Sequence, residues 1–367
     1  MRPQDPFIGR DIRNGQYQVL QKIGSGGMGA VYKALQPALN RMVAVKILHP
    51  KLTNRKDLAA RFRREARAMS HLSHPNTAKV FEYGELEDGS LYIVMELLEG
   101  KNLNQTVRAE GPFPYQRALP ILIQVCNALE EAHRAGIVHR DLKPENVFLC
   151  QAGGVKDYPK VLDFGLAKVT EREMRPGSVI LTQEGMVFGT PEFMSPEQAQ
   201  GKTLTPAADQ YSLAVILYEV LTGKLPFDAK TPMDYLSHHV TQPPIPLSQR
   251  VPGKTFPPLL DAIIAKALSK RVEERFGSAQ EFAGAMQAVL DGKTELSALA
   301  TAAHVPPAAP SAPASAPSMP DSGPLPAPAP PRVRQSGPSV GLLVGVAAAF
   351  LVAGALLAVL GMKLFGH

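Results

Sequence analysis

The stretch VHRDLKPEN, residues 138–146, sets His139, Arg140, Asp141, Lys143, Glu145 and Asn146 close together between the apolar runs Gly136-Ile137-Val138 and Val147-Phe148-Leu149. A run this polar is ordinarily a solvated turn. Its place at the entry to a buried strand raises the alternative that opposite charges are held there for chemistry. Two further sets of residues point to phosphate. Gly24, Gly26, Gly29 and Val31 fit the spacing G-x-G-x-x-G-x-V within 24–31, and glycine lets a backbone approach a polyphosphate with no Cβ in the way. Lys46 ends the apolar run VAVK, and Glu65 borders the apolar stripe of a helical pattern. A strand lysine and a helix glutamate would form an ion pair holding the amine towards a phosphate. An edge lysine that merely snorkels is the plain alternative for Lys46 alone.

The elements that must position these groups can be read from periodicity. Short strands are predicted over 17–23 and 30–35, on either side of the glycines. A dinucleotide fold would need a helix directly after the glycines; AVYKAL (30–35) is β-like instead. A third strand spans 42–48. A helix over 56–72 carries Leu58, Phe62, Ala66 and Met69 on one stripe, with Arg61, Arg63, Arg64 and Arg67 on its solvated face. A buried strand covers 91–96, with its exit at 97–100. A helix is predicted over 115–135, where Pro120 predicts a kink or a later start. A strand pair then leads to V161-L-D-F-G165, and 207–221 reads as a buried helix. Its Glu219 and short apolar run argue against a second membrane span.

In this order, the glycine loop, VAVK, HRDLKPEN, DFG and GTPEFMSPE resemble a bacterial eukaryotic-like Ser/Thr protein kinase over residues 17 to about 290. The resemblance implies an α+β, bilobal fold with a β-rich N-lobe and a helical C-lobe, ATP and Mg²⁺ as cofactors, and proteins as substrates. Phosphoryl transfer needs positioning and charge cancellation more than covalent help. By resemblance, Lys46 holds the α- and β-phosphates and is itself held by Glu65. Asp141 takes or orients the proton of the substrate hydroxyl, and Lys143 neutralises the moving phosphate. Asn146 and Asp163 offer Mg²⁺ the hard oxygen ligands it prefers. The nucleotide site is assigned to Ile23, Gly24, Ser25, Gly26, Gly27, Met28, Gly29, Ala30, Val31, Ala44 and Lys46, with Met95, Glu96, Leu98 and Phe148 around adenine. Lysine within DLKPEN is the pattern of Ser/Thr rather than Tyr kinases.

The resemblance also implies regulation. Arg140 beside the catalytic aspartate awaits a phosphate on the activation loop, for which Thr182 is the favoured site, while Thr190 is expected to hydrogen-bond Asp141 and Lys143. Glu197 and Arg275 match a buried ion pair, and Asp209 matches an acid bracing the catalytic loop. Phe193, Ser195 and Ala214 depart from the usual Tyr, Ala and Gly; none removes a catalytic group. A kinase-shaped scaffold would be expected to lack Lys46, Asp141, Asn146 or Asp163, and all four are present. A small-molecule phosphotransferase would not need the GTPEFMSPE segment.

The remainder of the 367 residues divides into a tail over 1–16, a Pro/Ala-rich linker over 291–339, an apolar run over 340–362 and a five-residue end over 363–367. Proline at the density of the linker cannot build a core. The run VGLLVGVAAAFLVAGALLAVLGM has no charged or hydrogen-bonding side chain and as a helix is long enough to cross a bilayer. With no signal-peptide pattern at the N-terminus, the expectation is a single-pass protein of the cytoplasmic membrane. Its kinase region would face the cytoplasm and its C-terminus the outside. Such an anchor favours a homodimer for phosphorylation between copies. The net charge of +6 carries no basic–aromatic pattern for nucleic acid. Cys126 and Cys150 have neither metal-ligand nor disulfide spacing.

Overall fold

Alternation along one strand decides which side chains reach the cleft. In β4 (Arg41–Leu48), Val43, Val45 and Ile47 face one side of a sheet, and Ala44, Lys46 and Leu48 the other. The computed structural model describes residues 5–26, 29–48, 56–164 and 190–294. The linker from 295 on, the apolar run 340–362, Gly27, Met28, and the loop containing Gly165 and Thr182 lie outside the described residues.

The small lobe is an antiparallel sheet of β1 (Asp11–Ile12), β2 (Tyr17–Gly26), β3 (Gly29–Gln36), β4, β5 (Val80–Glu85) and β6 (Leu91–Glu96), in the order β1-β2-β3-β4-β6-β5. Val43, Val45, Tyr32, Tyr92 and Val94 build a core on one face. On the other face Ala44, Leu48, Ile93 and Met95 join a core that continues into the large lobe. Helix α1 (Lys56–Ser70) covers that face through Ala59, Phe62, Ala66 and Met69; the side chain of Leu58 is outside the described residues.

Residues 5–16 are not a free tail. The Asp5 carboxylate accepts from the Tyr32 hydroxyl at 3.0 Å and from Lys22 at 3.1 Å, and the Phe7 and Tyr32 rings lie 5.7 Å apart. Glu82 accepts from the Tyr17 hydroxyl at 2.8 Å and the Tyr92 hydroxyl at 2.9 Å, and also pairs with Arg13. Burial, together with that carboxylate, pushes both tyrosines up to about 12. Polar anchors, which hydrophobic periodicity does not register, hold the segment.

The large lobe begins with β7 (Gly100–Asn102), which pairs with β8 (Val147–Ala152), itself paired with β9 (Val155–Val161). Its helices are α2 (Leu103–Glu110), α3 (Tyr115–Arg134), α4 (Pro196–Ala199), α5 (Pro206–Thr222), α6 (Pro232–Thr241), α7 (Leu247–Arg250), α8 (Pro258–Ala267) and α9 (Ala279–Leu290). Helix α3 starts at Tyr115 and runs through Pro120, so the later start, one of the two outcomes read from that proline, does not occur. One backbone donor is lost there, but Leu119, Ile121 and Leu122 are all buried around the site and outweigh it. Helix α5 is buried on nearly every side from Ala207 to Tyr218. Among the described residues no helix is long and apolar enough to cross a membrane.

Candidate active site

The catalytic loop is held by a carboxylate from another element. Asp209, in the first turn of α5, accepts from the backbone N–H of His139 at 2.8 Å and of Arg140 at 2.9 Å, and from His133 Nε2 at 2.7 Å. Burial works against its ionisation, but the His133 hydrogen bond and the surrounding donors outweigh that and hold it below the usual carboxylate range. Arg140 has the left-handed backbone φ of 68°, a conformation costly for a non-glycine residue. Its carbonyl accepts from Gln198 Nε2 at 2.6 Å. Gln198 also closes a capping box with Ser195 at the start of α4. His139 is fully buried; its Nε2 lies 2.8 Å from the Leu162 carbonyl and its ring centroid 4.9 Å from that of Phe164.

Within this frame the groups singled out from sequence converge. Lys143 Nζ donates to Asp141 Oδ2 at 2.9 Å and to Thr190 Oγ1 at 3.3 Å. Asn146 Nδ2 donates to the Asp141 carbonyl at 2.7 Å, which commits the nitrogen end of that amide. Asp163, with φ 55°, places Oδ2 2.9 Å from Lys46 Nζ. Burial opposes the charge on Asp163, yet Lys46, His139 and Lys143 together hold its carboxyl below the ordinary value.

One pairing departs from expectation. The ion pair assigned to Lys46 and Glu65 is instead Lys46–Asp163, and Glu65 Oε1 lies 4.0 Å from an Arg140 nitrogen. The left-handed backbone at Asp163 accompanies a carboxylate set against the lysine, whose charge, largely removed from water, needs such a partner.

Of the residues assigned to the nucleotide from sequence, the described ones sit on β2, β3, β4, β6 and β8, with Leu98 just after β6. Ala44 and Met95 are register partners, both buried. Val31 is partly buried against the main core, and Leu98 and Phe148 are half-buried. Ile23 is exposed. Glu96 Oε2 accepts from Lys160 at 2.9 Å and from the Lys79 N–H at 3.2 Å. Gly24, Ser25 and Gly26 pair with Val31, Ala30 and Gly29 in one hairpin. Gly29 has a structural reason of its own: a Cβ there would stand 2.1 Å from the Ile47 carbonyl. At Gly26 a Cβ would meet nothing within 4 Å among the described residues.

Glu197 and Arg275 form a buried pair through two contacts of 2.8 Å. Sequence reasoning missed His133 and Gln198. The S-x-x-Q spacing of the capping box was available for Gln198; nothing in the spacing around His133 ties it to Asp209, 76 positions away.

A profile of the protein kinase domain matches residues 17–287. The chain belongs to the protein kinase family. It is 42% identical over 285 residues to the serine/threonine-protein kinase pkn3 of Myxococcus xanthus, covering 78% of this chain and 52% of that protein. It is 40% identical over 269 residues to the serine/threonine-protein kinase PknB of Mycobacterium leprae, covering 72% of this chain and 42% of that one. The chain thus spans about half, or less, of the length of these relatives. Among solved structures, the Mycobacterium tuberculosis PknI kinase domain aligns with a TM-score of 0.59 at 30% identity, over 76% of this chain and 97% of that domain. Membership of the family implies the use of ATP and Mg²⁺. The donor set fits the metal: the oxygen end of the Asn146 amide and the Asp163 carboxylate, held below its ordinary value, would offer Mg²⁺ the hard oxygen ligands it takes beside water and phosphate oxygens.

Proposed function

We propose that this kinase transfers the γ-phosphoryl group of ATP to serine or threonine hydroxyls of proteins. The observation that carries this reading is the Asp141–Lys143–Thr190 contact set, in a loop held by Asp209 and flanked by Asn146 and Asp163. Asp141 accepts the proton of the incoming hydroxyl, with Lys143 at 2.9 Å balancing charge on the group being moved. Lys46 holds the nucleotide's phosphates, and Asn146 and Asp163 hold magnesium. Bound magnesium supplies charge neutralisation to the phosphates. Radiolabel transfer from ATP to a Ser/Thr protein acceptor tests the reading. An Asp141→Asn chain is expected to lose ~10²–10⁴-fold in rate; equal label in the two would end it.

The wider role is part of the same proposal. Phosphorylation of Thr182 would place a dianion for Arg140 to pair with, and mapping of phosphosites in the labelled chain checks it. The apolar run 340–362 anchors the chain in the cytoplasmic membrane as a single pass, with the kinase region on the ATP-containing side. Copies concentrated in that plane phosphorylate one another. A chain ending at residue 295 is expected to leave the membrane fraction and to carry less Thr182 phosphate in cells.

A further inference from the structure

Helix α6 reaches the segment beside the catalytic pair through one fully buried histidine. The His239 ring stands edge-on to Tyr211 of α5 and to Phe227, with centroids 5.5 and 5.0 Å away. Its Nε2 lies 3.0 Å from the Glu192 carbonyl, and its Nδ1 lies 3.0 Å from the Tyr211 hydroxyl. A carbonyl can only accept, so Nε2 carries the hydrogen and Nδ1 accepts from Tyr211. Burial, aided by Lys270, pushes the imidazole down to about 3, so the neutral tautomer that satisfies both partners persists at working pH. The Tyr211 hydroxyl in turn accepts from Lys270 at 3.3 Å, and its ring lies 4.9 Å from the Arg275 guanidinium that pairs with Glu197.

The next carbonyl along the chain, that of Phe193, accepts from Ser212 Oγ at 2.7 Å. Two consecutive carbonyls of the segment are thereby held by α5 and α6. Its first residue, Thr190, touches Lys143, which bonds Asp141. A shift of Glu192 therefore shifts the surface adjoining the reacting hydroxyl.

We infer that His239 is a positioning residue for the protein substrate: by donating to the Glu192 carbonyl it fixes the course of residues 190–194 beside Asp141 and Lys143. This rests on the protein-kinase reading of that site. Three substitutions separate the hydrogen bond from mere filling of the core. His239→Gln carries an amide nitrogen to the position of Nε2. His239→Asn reaches only the position of Nδ1. His239→Leu fills the space and bonds to neither.

The full chain is assayed with ATP and myelin basic protein, and KM is measured for each. For the Leu and Asn variants the acceptor KM is expected to rise about 10-fold, the loss of one buried hydrogen bond, while the KM for ATP stays within about 2-fold. The Gln variant is expected to return the acceptor KM to within about 3-fold of the unsubstituted chain. An unchanged acceptor KM in His239→Leu overturns the inference, as does a Gln variant as impaired as Leu, or a KM for ATP that rises in parallel. Should the Leu variant not fold, His239→Asn against His239→Gln carries the test: an acceptor KM about 3-fold or more higher in the Asn variant supports the inference, and equal values overturn it. Absence of transfer by the unsubstituted chain would overturn the kinase reading as well, an outcome distinct from transfer that is indifferent to position 239.

Discussion

Helix α5 carries an acid near each end, and the two live under opposite conditions. Asp209 lies in the first turn, where the positive end of the helix dipole favours a carboxylate, and three donors reach it. Glu219 lies in the last turn, where the dipole disfavours it, and its Oε2 is buried with no hydrogen-bond partner among the described residues. Burial, reinforced by Glu145, pushes Glu219 up to about 7, whereas Asp209 is held below its ordinary range. The same helix thus invests in one carboxylate and tolerates the other. Charge inside a protein becomes structural only where donors from separate elements converge on it, and at Asp209 they come from the catalytic loop and α3.

The largest test of this contrast is Asp209→Ala. It leaves two backbone N–H groups and His133 unmatched, and is expected to cost about 3–5 kcal/mol in urea denaturation and to take phosphoryl transfer with it. The depressed folded-state value gives stability that is present above the unfolded value near ~4 and lost as pH falls through the folded one. Asp209→Asn should accordingly flatten the acid limb of the stability curve.

Glu219→Gln should do the reverse. A raised carboxyl keeps its proton in the fold while the unfolded chain has released it, so stability declines as pH rises from about 4.5 to about 7. The variant is expected to match the parent below pH 4 and to exceed it by up to about 3 kcal/mol at pH 8. Equal curves would mean that the two ends of α5 do not differ as described.

The smallest effect is expected at His133. His133→Leu withdraws one of Asp209's donors and leaves the backbone pair, costing about 1–2 kcal/mol by denaturation. A loss as large as that of Asp209→Ala would show that the histidine, and not the carboxylate, carries the junction.

What could be read from sequence followed from how each feature is encoded. Strand alternation placed Ala44 and Lys46 together, and the 3.6-residue period placed Phe62, Ala66 and Met69 on one face. Motif order gave the catalytic loop, because one short run carries Asp141, Lys143 and Asn146. The partner of Lys46 was not legible: spacing offers both Glu65 and Asp163, and it is Asp163, at a left-handed backbone position that no periodicity announces, that meets the lysine. Neither was the role of Gly29, whose missing Cβ answers to the neighbouring strand. His133 and His239 stayed silent because an isolated histidine in a helix has no period or spacing of its own.

The matched kinase region begins at Tyr17, yet Asp5, Phe7 and Arg13 already grip the sheet. A laboratory fragment trimmed to that boundary would strip the ring of Phe7 from Tyr32, remove the carboxylate from its hydroxyl, and leave Glu82 without Arg13. The smallest portion worth purifying therefore starts at or before Asp5, and a shortened version that aggregates would report on the scissors, not on the enzyme.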